Sequence, residues 1–207
     1  VRDVNATTVA AVIAAAGGEA ISCGIVPDDE AELEHAARAA LVDADALIMS
    51  AGSSVSYRDF TARVVERLGS PGILVHGIAI KPGKPTLLAV AGGKPIVGLP
   101  GNPASALVLA WRIVAPLVRR LGGEAAAAAD VENAIEAVLS APVRSRPGRE
   151  DYVPCTLDRD ADGSVIATPL FGKSNLIFTL VRAHGTIVVP LDRSGFAAGA
   201  TVRVIVP

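Results

Sequence analysis

A chain of 207 residues is long enough for one large domain, or for a medium domain followed by a small one. Its 19 basic and 21 acidic residues leave a net charge of −2 and are spread along the whole chain, which excludes the basic footprint of a nucleic-acid or anionic-membrane binder. Apolar residues make up 51% and aromatics only 3%, so the core must be built from Ala, Val, Leu and Ile, a composition that suits helices packed on a buried sheet.

In chain order, Asn5 is positioned to cap a helix whose apolar residues Val9, Val12, Ile13 and Ala16 recur at helical spacing, with Gly17-Gly18 ending it. A strand over 20–26 follows. Pro27-Asp28-Asp29 then supplies turn and cap chemistry for a second helix carrying Leu33, Ala36, Ala37, Ala40 and Leu41. The run 46–49 is short and continuously apolar, as a parallel strand buried on both faces must be, and it empties into the Ser/Gly loop 50–59 ahead of a third helix.

Further strands are expected at 72–80, 86–91 and 95–99, and a long apolar helix at 103–121, with Pro103 in its first turn, where a missing N–H costs nothing. The fold class is α/β: a three-layer α/β/α domain with a mostly parallel sheet over 1–123. The Ala-rich stretch 124–130 is helix-prone rather than a flexible linker. Short alternating segments at 137–143, 151–157, 165–169, 185–189 and 201–206, separated by turn signals such as Arg146-Pro147-Gly148, describe a small all-β, barrel-like domain over 131–207.

No apolar run reaches the ~18 residues of a membrane span, and the start lacks the order of a signal peptide, so a cytoplasmic protein without membrane partners is expected. The opening at Val1 rather than Met suggests a fragment or a processed product. Cys23 and Cys155 lack any ligand spacing and read as reduced, buried thiols, and His76 and His184 as ordinary polar residues.

Three loops stand out. The loop 50–59 leaves a buried strand and opens a helix, the place where open α/β sheets take ligands, although a Gly/Ser-rich connection is often no more than a loop. Lys81-Pro82-Gly83-Lys84-Pro85 holds two cations between residues that restrict the backbone, which suits a phosphorylated ligand; the bland alternative is a solvated turn. Leu99-Pro100-Gly101-Asn102-Pro103 joins a strand to an almost wholly apolar helix, either as a tight turn or as a second anion site. Asp28, Asp29 and Asp59 all lie where a strand meets a helix, as N-caps or, beside phosphate-binding lysines, as ligands for Mg²⁺ or another divalent ion.

In order along the chain, Arg2-Asp3-Val4-Asn5, Gly24-Ile25-Val26-Pro27-Asp28-Asp29, Ser50-Ala51-Gly52-Ser53-Ser54 with Arg58-Asp59, Lys81-Pro82-Gly83-Lys84-Pro85 and residues 98–105 resemble the molybdopterin-binding domain of molybdopterin molybdenumtransferases, molybdopterin adenylyltransferases and gephyrin-type proteins. Gly148-Arg149-Glu150-Asp151-Tyr152, Gly172-Lys173-Ser174-Asn175-Leu176-Ile177 and Leu180-Val181-Arg182-Ala183-His184-Gly185 look like the C-terminal domain of the molybdenum-inserting branch. The resemblance implies a transferase of molybdenum cofactor biosynthesis that takes adenylylated molybdopterin and molybdate, releases AMP with the help of Mg²⁺ or another divalent metal, and works as a homodimer.

Carried over by position, it assigns catalysis to Asp59, Lys81 and Lys84. Pterin contacts fall to Ser50, Gly52, Ser53, Ser54, Pro100, Gly101, Asn102 and Ser105, and metal binding to Asp59 with either Asp28 or Asp29. Ala51 and Ser56 depart from the glycines common at those positions. The family's two N-terminal domains and the strand ahead of Arg2-Asp3 are not in this sequence, so the chain alone is expected not to be a competent catalyst. The competing readings are a non-catalytic binding or scaffold module and a stand-alone adenylyltransferase.

Overall fold

The computed structural model describes residues 3–51, 55–125, 133–171 and 178–206. They divide into two compact units, residues 1–78 with 83–129, and residues 79–82 with 130–207. Residues 79–82, which lie inside the stretch expected to form the α/β domain, therefore fold with the second unit.

The first unit is built on a sheet of β1 (Leu47–Ala51), β2 (Pro71–His76), β4 (Leu87–Ala91) and β5 (Lys94–Pro100) in the order β1-β5-β4-β2. β1 and β5 run parallel, while β5–β4 and β4–β2 are antiparallel. The expected mostly parallel sheet is corrected here. Only Gly92-Gly93, both at positive φ, separate β4 from β5; a two-residue turn joins antiparallel strands, whereas a parallel pair needs a crossover of a dozen or more residues. The strand expected at 20–26 is also corrected. That segment joins no ladder and is largely exposed, with Ile21 63% and Ile25 76% accessible. Its β-branched residues have no cross-strand neighbour to pack on, and strand propensity means little without one.

α2 (Glu30–Asp43) and α3 (Val55–Leu68) pack on the sheet through Ala37, Val65 and Leu68, which join Met49, Leu87, Ala89, Ala91 and Ile96 in one buried cluster. α1 (Val4–Ala15) packs on α4 (Pro103–Leu109), a π-helical turn (Ala110–Val114) and α5 (Ala115–Leu121), burying Val9, Val12, Val108, Leu109 and Val114. The cap of α1 is Asp3, whose carboxylate accepts from the Ala6 N–H at 3.0 Å, not Asn5 as expected; an ionised cap is favoured by the helix dipole, and it leaves the Asn5 side chain for other contacts.

Asp29 caps α2 by accepting from the N–H groups of Ala31 and Glu32 at 2.9 and 3.0 Å. At the other end of α2, Lys94 donates to the Leu41 carbonyl at 2.6 Å. Arg63 and Arg67 of α3 both engage Glu30, and the Arg63 contact above all holds that carboxyl below its ordinary range. Glu34 binds Arg38 at 2.8 Å within α2.

In the second unit β6 (Ala134–Leu139), β8 (Glu150–Arg159), β9 (Val165–Pro169), β10 (Gly185–Val189) and β12 (Thr201–Ile205) close into a five-stranded barrel. The ring runs β10-β12-β6-β9-β8 and returns from β8 to β10. Ala137, Leu139, Cys155, Ala167, Ile187, Val189, Val202 and Val204 fill it. β8 is long enough to pair with β10 through its first half and β9 through its second. The strand expected over 137–143 is broken by Ser140-Ala141-Pro142, after which β7 (Val143–Arg144) pairs with β11 (Gly195–Phe196). β3 (Ile80–Lys81) runs parallel to the start of β8, and one turn of helix, α6 (Phe178–Val181), completes the unit.

The helix-prone 126–130 and the 172–177 motif lie outside the described residues. Among the described residues no helix is long and apolar enough to cross a membrane.

Gly195 sits at φ +131, where an added Cβ would fall 2.1 Å from the Val143 carbonyl oxygen. Gly195→Ala should therefore lose at least about 2 kcal/mol in urea denaturation, because backbone cannot move aside as a side chain does. Gly199→Ala, at φ +81 in open space, should lose only about 1 kcal/mol; equal losses would show that the β7–β11 contact is looser than described.

Burial raises the Cys155 thiol to about 11, whereas Cys23, expected to be buried, is exposed in the segment that joins no ladder. A water-soluble thiol reagent at pH 8 should label Cys23 alone in the native protein and both residues in denaturant, since the thiolate is the reacting species. Native labelling of both would contradict this packing.

Candidate functional site

The parallel pairing of β1 and β5 sets Ser50 opposite Leu99 and Ala51 opposite Pro100, so the two strands end side by side and both chains leave the sheet at the same edge. From β1 the chain runs to α3; from β5 it passes through Gly101-Asn102 into α4, with Pro103 in the first turn and Ser105 buried. Adjacent strand-to-helix connections at the carboxyl ends of parallel strands are where open α/β sheets hold ligands. Of the expected pterin contacts, Ser50, Pro100, Gly101, Asn102 and Ser105 are brought to this edge. Gly52, Ser53 and Ser54 lie outside the described residues.

A third element reaches the same place. Asn5, in the first turn of α1 and only 7% exposed, donates through Nδ2 to Ser50 Oγ at 2.6 Å and to the Gly101 carbonyl at 3.1 Å. A carbonyl only accepts, so the amide must present its nitrogen here. Asn5 Oδ1 is buried and takes no hydrogen bond among the described residues, a cost on the order of 1–3 kcal/mol. Sequence reasoning treated Asn5 as a cap and missed this bridge. The available signal was Asp3, a competing cap two residues earlier that makes a second one redundant.

The lysine loop divides between the units. Its second half belongs to the first unit and forms a closed turn, in which Ile78 N–H donates to the Lys84 carbonyl at 2.9 Å and Gly77 N–H to the Thr86 carbonyl at 2.8 Å. The fully buried Thr86 donates its hydroxyl to the Gly83 carbonyl at 2.7 Å. Gly83 is required: at φ +125, a Cβ would meet the Leu109 side chain at 2.7 Å. The turn presents Lys84 in solvent.

Lys81, in the second unit, is likewise exposed, with Nζ 3.7 Å from Oδ2 of Asp151. Asp151 is 2% exposed and held at both oxygens by Arg149, Nε at 2.7 Å and the terminal nitrogen at 3.3 Å. The 148–152 motif was recognised in the sequence, but no role was assigned to this pair; alternation along a strand, which puts residues i and i+2 on one face, was the usable signal.

Asp28 and Asp29 lie together at the start of α2. Asp29 is committed to the α2 cap and Asp28 lies in the exposed turn before it. Glu30 meets Arg63 and Arg67, so α2 begins alongside the second half of α3, about 6 Å of helix rise beyond Asp59. Asp59 lies on α3, and its side chain is outside the described part. Among the described residues no group of three or more His, Cys, Asp or Glu could hold a metal ion.

Comparison with known proteins agrees with this geometry. Residues 1–120 match the family described as "probable molybdopterin binding domain", and residues 136–206 match the "MoeA C-terminal region (domain IV)". The molybdopterin molybdenumtransferase of Haemophilus influenzae is 33% identical over 205 residues, covering 99% of this chain and 50% of that protein. That of Nostoc is 31% identical, covering 98% and 47%. Among solved structures, a molybdopterin biosynthesis MoeA protein from Pyrococcus horikoshii superposes with a TM-score of 0.80 at 32% identity, covering all of this chain and 48% of that one. A molybdenum cofactor biosynthesis protein from Pyrococcus furiosus superposes at 0.78 with 26% identity, covering 99% and 65%. The chain spans about half the length of the curated relatives it matches. Matched over more than half its length by that family's domain, with the MoeA C-terminal region following, the chain belongs to the molybdopterin-binding domain family.

Proposed function

We propose that this chain is the ligand-binding and C-terminal portion of a molybdopterin molybdenumtransferase, which accepts adenylylated molybdopterin and molybdate and leaves molybdenum on the dithiolene as AMP departs. The observation that carries the reading is the edge where β1 and β5 end together, lined by Ser50, Gly101, Asn102 and Ser105 and tied by Asn5. The names of the relatives support it. Residues 1–123 would bind the pterin and 131–207 would form the family's C-terminal domain, in a cytoplasmic homodimer.

In this reading, small residues at the strand ends let the backbone approach the pterin phosphate, and Ser50 and Ser105 supply hydroxyl donors. Lys81 and Lys84 supply positive charge for the phosphoanhydride oxygens or the molybdate dianion, where charge builds as the bond to AMP breaks. Asp59 is assigned to that chemistry from its position on α3. A divalent ion would add charge neutralisation at the phosphates. Asp29 would offer such an ion only Oδ2, because its Oδ1 already caps α2.

Calorimetric titration with molybdopterin tests the reading. The wild-type chain should bind, and Lys84→Ala should weaken binding roughly tenfold, the scale of a lost charged hydrogen bond at an exposed position. Absence of wild-type binding would sink the proposal; binding unchanged by Lys84→Ala would remove the lysine loop from it. With adenylylated molybdopterin the chain alone should bind without releasing AMP, and turnover would show that this half suffices for catalysis.

A further inference from the structure

We propose that Asn5 is a positioning residue of the ligand site, which locks the ends of β1 and β5 together and leaves the Ser50 hydroxyl proton for an anionic oxygen of the ligand. The inference rests on the molybdopterin-site reading above. Its basis is an inventory of donors and acceptors. The amide of Asn5 has two N–H groups, and both are used, one on Ser50 Oγ and one on the Gly101 carbonyl. Ser50 is thus an acceptor in this contact, and its own proton remains to be donated; among the described residues Ser50 makes no other side-chain hydrogen bond. Ser50 is exposed whereas Asn5 is 93% buried, taking its 7% accessibility from the whole. Asn5 therefore acts through Ser50 and Gly101 rather than on the ligand.

A packing role alone does not account for the amide. Leucine has the same branching at Cγ and would fill the space without a buried carbonyl oxygen that lacks a partner among the described residues, as Asn5 Oδ1 does. What leucine cannot do is bind two strand ends from a third element. The two contacts span 45 and 96 residues of sequence, so one side chain fixes the spacing of connections that the chain itself joins only distantly.

Asn5→Leu and Asn5→Asp separate the possibilities, the first conserving the branching at Cγ without polar atoms and the second conserving size and shape while removing both donors. In each, deuterium uptake should rise at residues 48–51 and 100–106 with the barrel residues unchanged, and molybdopterin affinity should fall about tenfold. Ser50→Ala should weaken binding comparably, and adding it to Asn5→Leu should weaken binding little further, because both act on one group. Wild-type local exchange and affinity in Asn5→Leu would overturn the proposal, as would fully additive effects of the two substitutions. Should Asn5→Leu fail to fold, Asn5→Asp carries the same readouts. If the wild-type chain binds no molybdopterin, the functional reading fails, while the exchange measurement still decides whether Asn5 holds the two strand ends.

Discussion

The parallel pairing of β1 with β5 is the constraint on which the rest of the first unit depends. Two parallel neighbours must release their chains at the same edge, and the helix that follows each must begin there. Antiparallel pairing would send one of those connections to the opposite edge. The remaining sheet contacts, β5–β4 and β4–β2, are antiparallel, so a single parallel pair builds the candidate site while the other strands give it a rigid, apolar base. The sheet is under heavy burial at that pair, with residues 96–100 of β5 all buried.

Much of this is legible in the sequence. The continuous apolar run at 46–49, the Pro103 helix start and the turn chemistry at Asp29 each act locally, through hydrophobic burial, a missing N–H or a short side chain near its own backbone. Sequence pattern sees such effects well. It does not see which strand lies beside which. Residues 20–26 have the composition of a strand but no partner among the described residues, and Gly92-Gly93 turns a presumed parallel neighbour into a hairpin. At the site, the loops were found because glycines, prolines and lysines cluster in sequence, whereas the Asn5 bridge and the Arg149–Asp151 pair depend on contacts between distant or alternating residues.

The lysine loop shows how one short segment serves two folded units. Lys81 lies in a two-residue strand beside β8, and Gly83 returns the chain to the first unit, where its missing side chain makes room for Leu109. Each lysine is thus held by a different scaffold. Lys81 faces a carboxylate that Arg149 already engages at both oxygens, so Asp151 is shared between two cations. Lys84 projects from a turn closed by hydrogen bonds to Ile78 and Gly77. The ordering entropy of the loop is met by two independent sets of contacts, which leaves the lysine side chains themselves free to adapt.

A buried amide with one unpartnered oxygen lowers stability, and proteins tolerate such groups where the surrounding fold holds them in place for another purpose. Asn5, whose Oδ1 has no partner among the described residues, meets that description. Its helix is capped by Asp3, its neighbours Val9 and Val12 are buried, and its contacts reach two strand ends rather than its own backbone. The stabilising work of α1 is done by its apolar face, and the polar residue in its first turn is left to define the spacing at the sheet edge. A short strand pair and one amide thereby set the geometry at which Ser50, Gly101, Asn102 and Ser105 converge.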